Sequence, residues 1–204
     1  MVGDYVGTSG VFQGFVFKGG AFSTLDDPNA GSASGQGTMP FYIDASGAIV
    51  GAYVDSRGVQ HGFIFQRGAF SDFNYPGAGT ASGEGTALTC LSSSGVLVGY
   101  YFDSGGVFHG FAYQAGRFIR INDPNAASGE TFPACANDHG EVVGDYVDNS
   151  GLMHGFTFNA GMYRTIDDPN GAEGTAVAGV NDSGAMDGYY IDSEGVYHGF
   201  VFSP

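Results

Sequence analysis

Residues 50–70 read VGAYVDSRGVQHGFIFQRGAF. Small, β-branched and aromatic residues alternate on either side of DSRG, and a second break, QRG, precedes AF. Such alternation with Gly, Asp and Ser punctuation is the signature of short strands joined by tight turns. Taken alone, Asp55 and His61 fit three roles: an acid–base pair, half of a metal site, or the two ends of a hydrogen-bonded hairpin. The rest of the chain discriminates among them, because it repeats the stretch. VGDYVGTSGVFQGFVFKGGAF stands at 2–22, VGYYFDSGGVFHGFAYQAGRF at 98–118, VGDYVDNSGLMHGFTFNAGMY at 143–163 and DGYYIDSEGVYHGFVF at 187–202. The anchoring glycines Gly3, Gly51, Gly99, Gly144 and Gly188 recur with periods of 48, 48, 45 and 44 residues. Periods of this size belong to solenoids and propellers.

Each unit reads as four short strands, A to D. Strand A is small and partly apolar (MPFYID, ALTCLS, FPACAN, AVAGVN), and a turn such as ASG or DSG leads to strand B of the IVGAYV type. The DSRG-type turn leads to strand C (HGFIF), and a Gly turn to strand D (FIRIND, YRTIDD). No window carries a helical period with caps. From the proline of each DP or YP to the Thr opening the next unit the gaps are 10, 10, 7 and 6 residues, which accounts for the shortened periods. Only this connection varies in length, so it is the crossover between units, and the other three are hairpins. A four-stranded meander followed by a crossover is a propeller blade. Strands B and C occur five times and strands A and D four times, giving 18 strands. The pattern predicts an all-β fold, a single β-propeller domain over 1–204, with units at about 1–28, 38–76, 86–124, 131–169 and 175–204. Five blades with a non-standard closure is the first reading of the count. Four blades plus a hairpin, or a piece of a longer array, are the alternatives.

The pattern INxxGxIVGxYxDxxGxxHGFxxxxGxFxxIDxP resembles the extracellular repeats of HAF type, named for a His-Ala-Phe motif, across essentially the whole chain. Here the motif reads His-Gly-Phe, departing at its middle residue. The resemblance implies a secreted or surface-exposed bacterial protein, and it brings no catalytic residues with it.

Composition narrows the partners. The chain carries 6 Lys+Arg against 21 Asp+Glu, a net charge of −15. Counterion release on nucleic acid needs basic residues, so no nucleic-acid partner is expected, and an anionic membrane surface is disfavoured for the same reason. No apolar run approaches the roughly 20 residues of a membrane span. No charged-then-apolar leader opens the sequence. A monomer is expected. Cys90 and Cys135 occupy equivalent inner-strand positions and are expected as two buried thiols.

If A is innermost, the B–C turns and the crossovers share one face, which collects Asp55, Asp103, Asp148 and Asp192 together with the DDPNA-type crossovers. His61, His109, His154 and His198 start strand C near that face, and His139 alone lies in an A–B turn opposite. Tyr53, Tyr101, Tyr146 and Tyr190 sit near the top of strand B, where rings of this type stack on sugars. These twelve Asp, His and Tyr residues are the candidate ligand-binding set. No catalytic residue is assigned, since a catalytic centre needs one convergent site rather than a pair recurring around a ring. The first copy carries Gly7 and Gln13 in place of Asp and His. Gln keeps hydrogen bonding but cannot shuttle a proton, so the pair reads first as hairpin structure. The Asp-Pro-Asn crossovers read as turns before they read as a Ca²⁺ site, because no EF-hand or nonapeptide spacing is present. No cofactor and no metal are assigned, with Ca²⁺ held as a minor alternative. The expected function is a non-catalytic extracellular module for carbohydrate or another polar small ligand, bound on the acidic face or between blades. The alternatives are a ligand-free surface-display scaffold and a hydrolase or lyase with its site at the central opening.

Overall fold

A computed structural model describes residues 1–203. The first repeat forms β1 (Val2–Val6), β2 (Phe12–Lys18) and β3 (Ala21–Thr24). The second forms β4 (Gly37–Ile43), β5 (Ile49–Val54), β6 (Gln60–Gln66) and β7 (Ala69–Asp72). The third comprises β8 (Gly85–Leu91), β9 (Leu97–Phe102), β10 (Phe108–Gln114) and β11 (Arg117–Ile121). The fourth comprises β12 (Ala126–Ala136), β13 (Val142–Asp148), β14 (Met153–Asn159) and β15 (Met162–Ile166). The last forms β16 (Gly174–Val180), β17 (Met186–Ile191) and β18 (Tyr197–Phe202). The fold is all-β, and strands B and C each occur five times, A and D four times, as the repeat pattern predicts.

The chain divides into two compact units. One holds Met1–Leu91 and Tyr100–Val107, the other Ser92–Gly99 and the residues from Phe108 onward. In the first unit β4 to β7 form an antiparallel meander, and β1, β2 and β3 form a three-stranded one. Successive meanders meet through a single parallel bridge, Phe12 to Gly37 and Gln60 to Gly85. Both glycines have φ of 123°, and a Cβ on either would overlap the facing carbonyl of Phe12 or Gln60. Only glycine fits such a junction. In the second unit β12 to β15 and β16 to β18 repeat the pattern, with the bridge at Met153 and Gly174. Three of the four strands D close a hairpin with a non-glycine residue followed by glycine, both at positive φ: Arg67 and Gly68, Ala115 and Gly116, Ala160 and Gly161. This is the type I′ geometry that matches strand twist. Among the described residues neither sheet path, β1 to β11 or β12 to β18, returns to pair with its first strand.

Burial follows strand order. Strands A, B and C carry the core, with Val50, Phe63, Leu88, Val98, Phe111, Val143, Phe156 and Val177 at most 1% exposed, while β3 lies in solvent. In the first unit Leu25, Ile49, Tyr53 and Phe63 form one buried cluster, and in the second Val143, Val177 and Met186 form another. The strand-A positions are less regular than their spacing suggests. A β-bulge shifts the register between Pro40 and Tyr42, between Pro133 and Cys135, and between Val177 and Gly179. The cysteines correct an expectation: neither Cys90 nor Cys135 is a free thiol, and both are disulfide-bonded. Linear spacing with simple alternation cannot measure whether two inner-strand Cα atoms approach closely enough to be bridged.

Candidate functional site

Four of the five B–C turns are closed by their own acid, the first carrying Gly7 instead. Asp55 Oδ1 accepts the backbone N–H of Arg57 at 2.8 Å and of Val59 at 3.0 Å. The same two bonds recur from Gly105 and Val107 to Asp103, from Ser150 and Leu152 to Asp148, and from Glu194 and Val196 to Asp192. A side chain that satisfies its own backbone two and four residues on is a turn-forming device.

The second oxygen reaches for histidine. Asp55 Oδ2 lies 3.3 Å from His61 Nε2, Asp148 Oδ2 is 3.5 Å from His154 Nε2, and Asp192 Oδ2 is 2.7 Å from His198 Nε2. Each imidazole also stacks on its cross-strand tyrosine, Tyr53, Tyr146 or Tyr190, with centroids 4.9, 5.0 and 4.9 Å apart. In the third repeat His109 Nδ1 is 3.0 Å from Arg120 Nη2, and Tyr101 stacks on Tyr75 at 3.9 Å. His139 belongs to an A–B turn, where its N–H donates to Asn137 Oδ1. Electrostatics follow this geometry. Asp148 is held down at about 2 by the hydroxyl of Ser150 and the N–H of Leu152. Partial burial pushes Asp55 up, but the bonds from Val59, Arg57 and His61 outweigh it and hold the carboxyl well below the usual range. His198 and the turn amides lower Asp192 as well.

Three tyrosines of the candidate set present little surface: Tyr53, Tyr101 and Tyr146 are at most 5% exposed. Tyr53 Oη donates to Asp72 Oδ1 at 3.2 Å, and Tyr146 Oη meets Thr165 Oγ1 at 3.1 Å. The crossovers are turns built on their own side chains. Asp27 Oδ1 accepts the N–H of Asn29, and Asp123 Oδ1 that of Asn125, each at 2.8 Å. The N–H groups of Asp27 and Asp123 donate to Thr38 and Thr131 of the following strand A. Among the described residues no three His, Cys, Asp or Glu side chains converge as a metal-ligand set.

The B–C turns and crossovers do share a face in the first unit, where the Gly35 and Gly83 amides donate to the carbonyls of Gly10 and Gly58. On that face a cleft of about 410 Å³ opens beside the β5–β6 hairpin, lined by Gln36, Val54, Ser56, Arg57, Gln60 and Phe102 among others. Tyr53, Asp55 and His61 do not line it. Their immediate neighbours do, because alternate residues of a strand face opposite sides. Arg57 donates from Nε and Nη2 to Asp55 Oδ2 at 3.0 and 2.9 Å, and the Gln60 side chain hydrogen-bonds the buried Tyr100 hydroxyl. The sequence held a signal for this cleft in its broken symmetry. The position before strand C's His or Gln reads Phe12, Gln60, Phe108, Met153 and Tyr197, with one amide among apolar and aromatic residues. The matching turn position reads Ser9, Arg57, Gly105, Ser150 and Glu194, with one cation.

No family model and no curated protein matches the chain. Solved structures do. A lectin from Aleuria aurantia in complex with alpha-methyl-L-fucoside superimposes with a TM-score of 0.58 at 12% identity, over 97% of this chain and 68% of its own. The Aleuria lectin is described as a six-bladed β-propeller with a novel mode of fucose recognition. AofleA from Arthrobotrys oligospora gives 0.56 at 12% identity, covering 99% and 68%, and a lectin from Burkholderia pseudomallei 0.51 at 14%, covering 98% and 62%. The chain shares the fold of β-propeller lectins.

Proposed function

We propose that the chain is a non-catalytic carbohydrate-binding module acting outside the cell, built as a five-bladed arrangement of HAF-type repeats. The observation that carries the reading is the cleft at the β5–β6 hairpin. Polar groups (Gln36, Ser56, Gln60) converge there with one aromatic ring, Phe102, in a space of about 410 Å³. A few convergent polar groups beside apolar surface is the composition of a small-ligand site. The ligand it suits is neutral. The Arg57 guanidinium is already engaged by Asp55, and a net charge of −15 repels anions. A sugar with one apolar edge and several hydroxyls places that edge on Phe102 and its hydroxyls on the two glutamines. The fucosides bound by the fold's lectin neighbours are sugars of this kind. The disulfide-bonded cysteines support an oxidising compartment. The repeated Asp–His pairs are committed to turn amides and stacked tyrosines, which supports a structural rather than a catalytic role for them.

A glycan array probed with and without Ca²⁺ tests the proposal. Binding to neutral, deoxy-sugar-containing glycans is expected, unchanged by Ca²⁺. Gln60→Ala should weaken it at least tenfold, while His198→Gln, which is not part of the cleft lining, should leave it unaltered. An array with no bound glycan, or binding indifferent to Gln60→Ala, defeats the assignment.

A further inference from the structure

Two crossovers, one in each unit, do more than connect. In the first unit Leu25, at the end of strand D, is 5% exposed and packs in one cluster with Tyr53, Phe63 and Phe70 of the following repeat. Asp27, two residues on, lies close enough to Tyr53 and Asp72 to push the tyrosine hydroxyl further up. In the second unit the matching segment does the same. The Asn122 N–H donates to Tyr163 Oη at 2.6 Å, and Asp123 stands beside both Tyr146 and Tyr163. The segment Leu/Ile-Asx-Asp is therefore a plug. The socket is built by the strand-B tyrosine, the first strand-C phenylalanine, and the strand-D ring two positions before its polar end residue.

The same socket exists on the first repeat. Tyr5, Phe15, Phe22 and Thr24 stand 48 residues before Tyr53, Phe63, Phe70 and Asp72. They line an apolar-walled groove of about 430 Å³ together with Gly14 and Ser23. No plug covers it among the described residues: Tyr5 is 55% and Phe22 68% exposed, against 3% for Tyr53. We propose that this groove is a docking site for the Leu/Ile-Asx-Asp-Pro crossover segment of a partner built from like repeats. The occupant's chemistry follows from continuity with the interface repeated inside the molecule. An apolar side chain enters between Tyr5 and Phe22, and the Asx-Asp turn settles over Thr24. In a second copy of this chain the crossovers at Leu25 and Ile121 are poor donors, since those side chains are at most 5% exposed.

The peptide FSTLDDPNA, residues 22–30, titrated into the ¹⁵N-labelled chain to millimolar concentration, tests this. Saturable amide shifts confined to Tyr5, Phe15, Phe22 and Thr24 are expected. Binding should be at least tenfold weaker for the peptide carrying Leu25→Asp and for the chain carrying Phe22→Ala, whose exposed ring is no part of a core. The peptide variant keeps the test intact should the chain variant fail to fold. The proposal is overturned by absent or non-saturating shifts, by an equal response to the Leu25→Asp peptide, or by a dimer of the chain that Phe22→Ala dissociates, which would name a second copy as the occupant.

Discussion

Asp145 shows how far a single residue can work against its surroundings. It lies on β13, opposite Phe132 on one side and Gly155 on the other, and burial pushes its carboxyl up to about 6. The native chain therefore holds this proton more tightly than the unfolded chain, whose aspartates titrate near 4. Stability contributed by the neutral form is fully present below about pH 4 and is lost as pH rises to about 6. Asp145→Asn should remove that slope and stabilise the protein at pH 7 by about 1–2 kcal/mol, read from urea unfolding at pH 4, 5, 6 and 7. A variant that keeps the slope would show that another group is responsible. Asp55, Asp148 and Asp192 act in the opposite sense: their bonds to turn amides and histidines stabilise the fold above pH 4 and fade as pH falls below it. The sequence reveals the turn acids, because Asp recurs at one position before Gly. It does not reveal Asp145, whose slot reads Asp4, Ala52, Tyr100, Asp145 and Tyr189. The environment of that slot is made by residues distant in the chain.

The B–C hairpin is the element the repeats conserve in form, and its parts contribute unequally. Asp55 closes the turn with two backbone bonds and also holds His61 and Arg57. Removing it leaves the exposed Arg57 amide and the part-buried Val59 amide without this partner, so Asp55→Ala should cost about 1–2 kcal/mol in thermal or urea unfolding. His61→Gln should cost about 0.5 kcal/mol or less, since the amide can keep one hydrogen bond where Gln13 already stands in the first repeat. Equal losses for the two variants would refute this division. Hairpin, strand order and turn acid were all legible, because period-two alternation and glycine punctuation are local signals. The cleft was not: it is lined by the alternate residues Val54, Ser56, Gln60 and Phe102, and no local pattern says which face of a hairpin stays open. The bulges of strand A were hidden for a related reason, since an extra residue inside a strand leaves no mark on composition.

At the scale of the molecule the two cysteines decide how the chain responds to its surroundings. Both are disulfide-bonded, and Cys90 is fully buried. Reduction should lower the unfolding free energy by about 2–4 kcal/mol, and alkylation of the unreduced native protein should find no free thiol. Ready labelling without reductant would contradict the disulfide. The A–B turns of the second unit add a cross-repeat staircase: the Ser94 N–H donates to Asp138 Oδ1, and the Asp138 N–H to Asp182 Oδ1, each at 2.8 Å.

The bridges between repeats set a different property. Within a repeat, each strand pair is a ladder of four to six residue pairs, whereas Phe12–Gly37, Gln60–Gly85 and Met153–Gly174 are single rungs. Within each unit the link between repeats thus offers fewer ladder pairs to shear than the hairpins on either side of it.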